Sequence, residues 1–203
     1  MAIRIPLFAA ALAALVGTAA HARQFSPGNL VVCQVGDGAA ALSSSATLAS
    51  LLEFTTAGSQ VGGALGLPTA VAGSNRRLTL SGTATSEGVL TLSRDGRFLT
   101  MGGYDADLGT ASITSSNSSA INRVVARING NMIIDTSTAI ADAATPGNIR
   151  SACSDDGSGF WVGTSGGGVR YAAFGATSST QLNTTAPTNA RVTNIFAGQL
   201  YMS

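Results

Sequence analysis

Five polar residues recur where apolar strand patterns begin: Glu87, then Asn148 with Arg150, then Asn189 with Arg191. One carboxylate, two amides and two guanidiniums gathered at one place would hold a polar ligand by charge and hydrogen bonds. The same groups would serve equally as hydrogen-bond ties between neighbouring structural units. Glu53, Glu87, Asp105 and Asp107 supply carboxylates of the kind that cleave glycosidic bonds in pairs, although no spacing singles out one pair. Asp105 and Asp107 stand two apart in a segment containing Gly109. They could give two of the roughly six to eight oxygens of a calcium site, but no EF-hand spacing accompanies them. Trp161, with Phe98, Phe160, Tyr171 and Tyr201, could stack on sugars, though alternation along strands assigns most of these rings to a core.

What the chain lacks narrows the chemistry further. Its one histidine, His21, precedes the cleavage site identified below. Residues 23–203 therefore contain neither a Ser-His-Asp nor a Cys-His arrangement. All 11 basic residues are Arg, so lysine nucleophiles and Schiff bases are excluded within the chain. After residue 22 the arginines equal the acidic residues in number, and no basic face for nucleic acid is implied. No cofactor is implied by any motif. Cys33 and Cys153 would be permitted a disulfide by export, closing a loop of about 120 residues worth roughly 4–5 kcal/mol. Alternatively they are two small buried side chains in two strands.

The N-terminus reads as a secretory signal peptide, residues 1–22. Arg4 precedes an apolar run through Val16, and Ala20-His21-Ala22 supplies the small-x-small cleavage pattern. The run is shorter than the roughly 20 residues that span a bilayer. The expected product is a secreted, periplasmic or extracellular domain, residues 23–203, with no membrane span. With 45% apolar and 10% charged residues, that domain is a folded one.

The elements that must position the polar residues are strands. Asn29 to Gly36, Gln60 to Leu67, Leu78 to Thr83, Glu87 to Leu92, Arg97 to Tyr104, Ile121 to Ile128 and Val169 to Phe174 carry strand signatures. Leu48 to Phe54 is ambiguous between helix and strand, and Asp105 to Ala120 is a polar loop. Asp95-Gly96 and Asn129-Gly130 predict hairpins with type I′ turns, which need positive φ at both central residues. No convincing capped amphipathic helix follows the signal peptide.

The motif Ser93-Arg94-Asp95-Gly96-Arg97-Phe98-Leu99 returns as Ser154-Asp155-Asp156-Gly157-Ser158-Gly159-Phe160-Trp161. A weaker echo surrounds Gly198. Gly157 to Gly198, Asn148 to Asn189 and Arg150 to Arg191 are each 41 residues, and Gly96 to Gly157 is 61, the excess being absorbed by the polar loop after Tyr104. A unit of about 40–45 residues holding four strands is the size of a propeller blade. On these residues the chain resembles secreted bacterial β-propeller repeat proteins. The resemblance implies an all-β fold of antiparallel four-stranded blades, forming a partial or incomplete ring. A β-sandwich is the alternative. It also implies that Glu87, Asn148, Arg150, Asn189 and Arg191 face a central channel. The expected function is a non-catalytic binding or surface module for a glycan or a cell-surface protein, with Trp161 as a further ligand contact. The alternative is a carbohydrate-active enzyme using Asp and Glu.

Overall fold

A computed structural model describes residues 23–203. The signal-peptide expectation concerns residues 1–22 and lies outside the described residues. Those residues form an all-β fold. The first half contains β1 (Leu30–Val35), β2 (Ala46–Thr47), β3 (Ala49–Phe54), β4 (Gln60–Gly66), β5 (Leu80–Ser81), β6 (Thr91–Leu92) and β7 (Phe98–Tyr104). A 3-10 turn at Ile113–Ser115 follows. The second half contains β8 (Arg123–Asn129), β9 (Ile134–Ile140), β10 (Ile149–Cys153), β11 (Gly159–Thr164), β12 (Val169–Ala173), β13 (Thr180–Gln181), β14 (Thr193–Phe196) and β15 (Gln199–Met202).

All strand pairing is antiparallel and mostly between chain neighbours. β1, β3 and β4 form one sheet, β6 to β9 a four-stranded meander, and β10 to β13 a second meander of the same order. β14 and β15 form a separate hairpin, and β2 pairs with β5. The ambiguous Leu48 to Phe54 segment is a strand because it lies between β1 and β4. Its alternate residues Ala49, Leu51 and Glu53 are buried.

The β6–β9 meander has apolar side chains on both faces. Met101, Val124, Ala126, Ile128 and Ala139 pack with Leu51, Leu78 and Leu80 on one side. Tyr104, Val125 and Ile140 pack with Ile149, Phe160, Val162 and Ala172 of the next sheet on the other. The alternation of side chains along a strand sends consecutive residues to opposite layers. Each fully buried leucine or isoleucine contributes about 1.5–3 kcal/mol. Two glycines thin the middle of β7. A β-carbon on Gly102 would lie 2.6 Å from Ile149 Cγ1, and one on Gly103 would lie 2.7 Å from Leu78 Cγ. The glycines admit one large side chain from each neighbouring layer.

The turns depart from expectation in an instructive way. The Asp95-Gly96 hairpin forms, but only Gly96 has positive φ (74°). Gly96 N–H donates to Ser93 C=O at 2.8 Å and Ser93 N–H to Phe98 C=O at 2.7 Å, which makes a longer loop than a two-residue I′ turn. The Asp95 carboxylate fixes it by accepting from Ser93 Oγ and from the Arg97 N–H. At Asn129-Gly130 the left-handed residue is Met132 (φ 58°), and the Asn129 side chain accepts from the N–H groups of Asn131 and Ile133. The two-residue turn with both φ positive falls instead at Ala197 (48°) and Gly198 (77°), between Phe196 and Gln199. At Asp95-Gly96 and Asn129-Gly130, side-chain hydrogen bonds to the turn, rather than the glycine alone, select the loop.

Strands Leu78 to Thr83 and Glu87 to Leu92 are shorter than expected, reduced to β5 and β6. Glu87 forms side-chain hydrogen bonds at the head of β6 rather than ladder bonds within it. The polar loop after Tyr104 is a loop as expected, except that Ile113 inserts fully into the core. Cys33 and Cys153 are both free thiols. They lie in different sheets, Cys33 opposite Leu51 in β3 and Cys153 opposite Trp161 in β11. Cys33 packs against the layer of Leu51 and Leu80, and Cys153 is fully buried.

Candidate functional site

The strand-heading residues meet in a row. Asn148 Nδ2 donates to Glu87 Oε1 at 2.6 Å, joining positions 61 residues apart. Ser165 then lies between the next two. Its N–H donates to Asn148 C=O at 3.0 Å, its hydroxyl accepts from the Asn148 N–H at 2.6 Å, and it bridges Asn189 across an antiparallel pair. Glu87, Asn148 and Asn189 thus mark the same end of three successive strand groups.

Glu87 is committed within this row. Oε1 also accepts from the Tyr104 hydroxyl, and Oε2 accepts from Ser81 N–H at 3.0 Å. Burial raises its pKa, and the hydrogen bonds from Tyr104, Ser81 and Asn148 oppose that rise without cancelling it. Tyr104 is fully buried, and the Arg123 guanidinium lies 5.0 Å from its ring centre. Arg123 is buried as well, but it is nearly saturated. It donates to the carbonyls of Ile121 (2.6 Å), Ser116 (2.6 Å), Ala144 (2.7 Å) and Gly147 (3.1 Å).

Arg150 has a different environment. β10 and β11 shift register between Ile149 and Ser151, so Arg150 is the residue without a partner across the ladder. Such a bulge turns a side chain out of the regular alternation. Arg150 is only 8% exposed, and its Nε and Nη1 are buried without a hydrogen-bond partner. Burial lowers its pKa, and the nearby charge of Arg191 lowers it further; Glu87 acts in the opposite direction. Arg191 and Asn189 themselves are exposed.

Trp161 stands apart from this row. It lies near the turn end of β11, whereas Arg150 lies beside Gly163 and Thr164 at the other end. Its ring is 5.4 Å from that of Tyr171. It lines a surface cavity of about 310 Å³ with Arg94, Asp155, Ile195, Gly198 and Leu200. Arg94 and Asp155 form an ion pair there. The two turns also share backbone bonds at 3.1 Å, from Arg94 N–H to Ser154 C=O and from Asp95 N–H to Asp155 C=O.

The other carboxylates hold structural partners. Glu53 Oε1 accepts from Ser26 N–H and Asn29 Nδ2, both at 2.7 Å. Arg77 pairs with Asp105 at 2.9 Å and with Asp107 at 2.6 Å. That occupies oxygens a calcium ion would need, and no group of three metal-binding side chains occurs among the described residues. No described helix is long and apolar enough to cross a membrane. The composition gave no sign of the orphaned guanidinium, because the bulge that creates it depends on tertiary pairing. Comparison of the chain with known protein families, with curated proteins and with solved structures finds no match.

Proposed function

We propose that the chain is a secreted, non-catalytic binding module built as part of a β-propeller. Its ligand surface lies at the end of the sheets where Glu87, Asn148, Arg150, Asn189 and Arg191 gather. The carrying observation is the row itself. Hydrogen bonds link Glu87 to Asn148 and, through Ser165, lead to Asn189. Propeller blades bring the heads of successive inner strands together around an axis in this manner. The two meanders of identical order support the same arrangement.

Two of the five residues, Glu87 and Asn148, spend side-chain hydrogen bonds on tying the sheets together. The ligand-binding role then falls mainly to Arg150, Asn189 and Arg191. A glycan is the favoured ligand class because neutral and charged polar groups are mixed there. A paired-carboxylate hydrolase is less well supported, since Glu53, Glu87, Asp105 and Asp107 are each engaged by other side chains or backbone groups. A glycan array on residues 23–203, followed by a turnover assay on every hit, tests the reading. Binding without turnover, weakened in Asn189→Ala, is expected. Sugar release abolished by Glu87→Gln would overturn it in favour of the hydrolase.

A further inference from the structure

We propose that Arg150 and Arg191 form an oxyanion site that receives the carboxylate or sulfate of an acidic glycan. The glycan part of this assignment rests on the binding-module reading above; the oxyanion part rests on Arg150 alone.

A buried guanidinium carries a heavy desolvation cost unless it is paired and hydrogen-bonded. The protein largely meets that requirement at Arg123, whose two Nη groups donate to four carbonyls and leave only Nε without a partner. At Arg150 it does not. Nε and Nη1 are buried with no acceptor, although the residue is more than nine-tenths buried. Glu87, the nearest carboxylate to influence it, has its oxygens occupied by Tyr104, Asn148 and Ser81. Arg191 adds a second positive charge close by. Arg123 and Arg150 both lie within electrostatic reach of the one committed carboxylate, Glu87. Arg191 also acts on Arg150, so cations outnumber the carboxylate there.

An external oxyanion resolves each of these features. It supplies acceptors to the orphaned N–H groups, as guanidinium pairs readily with carboxylate or sulfate oxygens. It offsets the repulsion between Arg150 and Arg191. The exposed position of Arg191 leaves the second cation free to meet a ligand from solvent. Asn189 beside it offers both a donor and an acceptor for a neighbouring hydroxyl.

The test uses residues 23–203 with sodium glucuronate, glucose 6-sulfate, inorganic sulfate and glucose as probes, at constant ionic strength, read by calorimetric titration and thermal midpoint. Glucuronate or glucose 6-sulfate is expected to bind and raise the midpoint, whereas glucose is not. The preferred of the two identifies carboxylate or sulfate as the natural group. Arg150→Met should abolish this binding while leaving the unliganded protein at least as stable, because it removes an uncompensated buried charge. Arg191→Gln, at an exposed position, should weaken binding at least tenfold and keeps the test open if the Arg150 variant fails to fold. Equal binding of glucose and glucuronate, or glucuronate binding unchanged in the variants, overturns the proposal. Neutral glycans that bind regardless of both arginines would sink the oxyanion site and leave the binding module standing. Tight binding of inorganic sulfate with no glycan retained would keep the oxyanion site and overturn its glycan assignment.

Discussion

Gly102→Ala and Gly103→Ala should each destabilise the protein, and by different amounts. At Gly102 the new methyl would meet Ile149 Cγ1 at 2.6 Å and Cδ1 at 2.8 Å. Ile149 would have to retreat by most of an ångström from a fully buried position. At Gly103 the methyl would meet Leu78 at 2.7 Å and also the Thr79 carbonyl oxygen at 2.9 Å. That carbonyl accepts the Tyr104 N–H at 2.9 Å, so backbone as well as side chain must shift. Overpacking of this kind costs about 1–3 kcal/mol, and the restricted unfolded chain returns about 0.4–1 kcal/mol. The net loss is therefore about 1 kcal/mol at Gly102 and about 2 kcal/mol at Gly103. For a domain of this size each kcal/mol lowers the melting midpoint by about 2–4 °C. Equilibrium urea denaturation measures both, with Gly130→Ala as control, because no atom lies within 4 Å of its added carbon. A further cycle pairs Gly102→Ala with Ile149→Val, which removes one of the two clashing atoms. The double variant should be more stable than the sum of the singles by at least about 0.5 kcal/mol. Either glycine variant as stable as Gly130→Ala, or strict additivity in the cycle, would refute the reasoning.

Three further outcomes are expected. Ala197→Asn should stabilise the β14–β15 hairpin by about 0.5–1 kcal/mol, since Asn tolerates the left-handed backbone that Ala197 occupies; an unchanged or lower melting midpoint would contradict this. Burial pushes the thiols of Cys33 and Cys153 up to about 11, so a disulfide-exchange reagent at pH 8 should react slowly with native protein and titrate two thiols after denaturation without reductant. Burial raises the Asp95 pKa, but hydrogen bonds from Ser93 and Arg97 outweigh it and hold the group at about 2. Its folded pKa thus lies below the unfolded value of about 4, so its stabilisation is present above pH 4 and lost as pH falls towards 2. Asp95→Asn should flatten the stability profile in that window, and an unaltered acid limb would count against the assignment.

The strand content and the hairpins were legible in the sequence because alternation and Asp-Gly or Asn-Gly pairs are local signals. The link between Glu87 and Asn148 was foreshadowed by the 61-residue register, which placed both at strand heads. Other features were not legible. The turn geometry at Asp95 depends on what its carboxylate and Ser93 bind, and the register says nothing of that. Gly102 and Gly103 fall within the expected strand Arg97 to Tyr104, but that Ile149 and Leu78 pack over them is set by tertiary contacts the strand pattern does not carry. Ile113 lies in a stretch with no apolar period, and one isolated isoleucine gives no sign of the cavity it fills. Arg123 is largely satisfied by carbonyls of loops outside its own strand, whereas Arg150 sits at a shift in pairing between β10 and β11, and neither circumstance is a property of one strand alone.

The chain-neighbour order of the two meanders bears on how the molecule assembles. β6 to β9 are contiguous in the chain, and so are β10 to β13. Each sheet therefore pairs chain neighbours, and even the longest connection, residues 105–122 between β7 and β8, adds little closure cost because that cost grows slowly with loop length. The layer of Ile149, Phe160 and Val162 cannot be covered on its β7 side until both sheets exist. Docking of the two meanders is thus a requirement separate from pairing within each, and β7, thinned at Gly102 and Gly103, is the surface on which it must succeed.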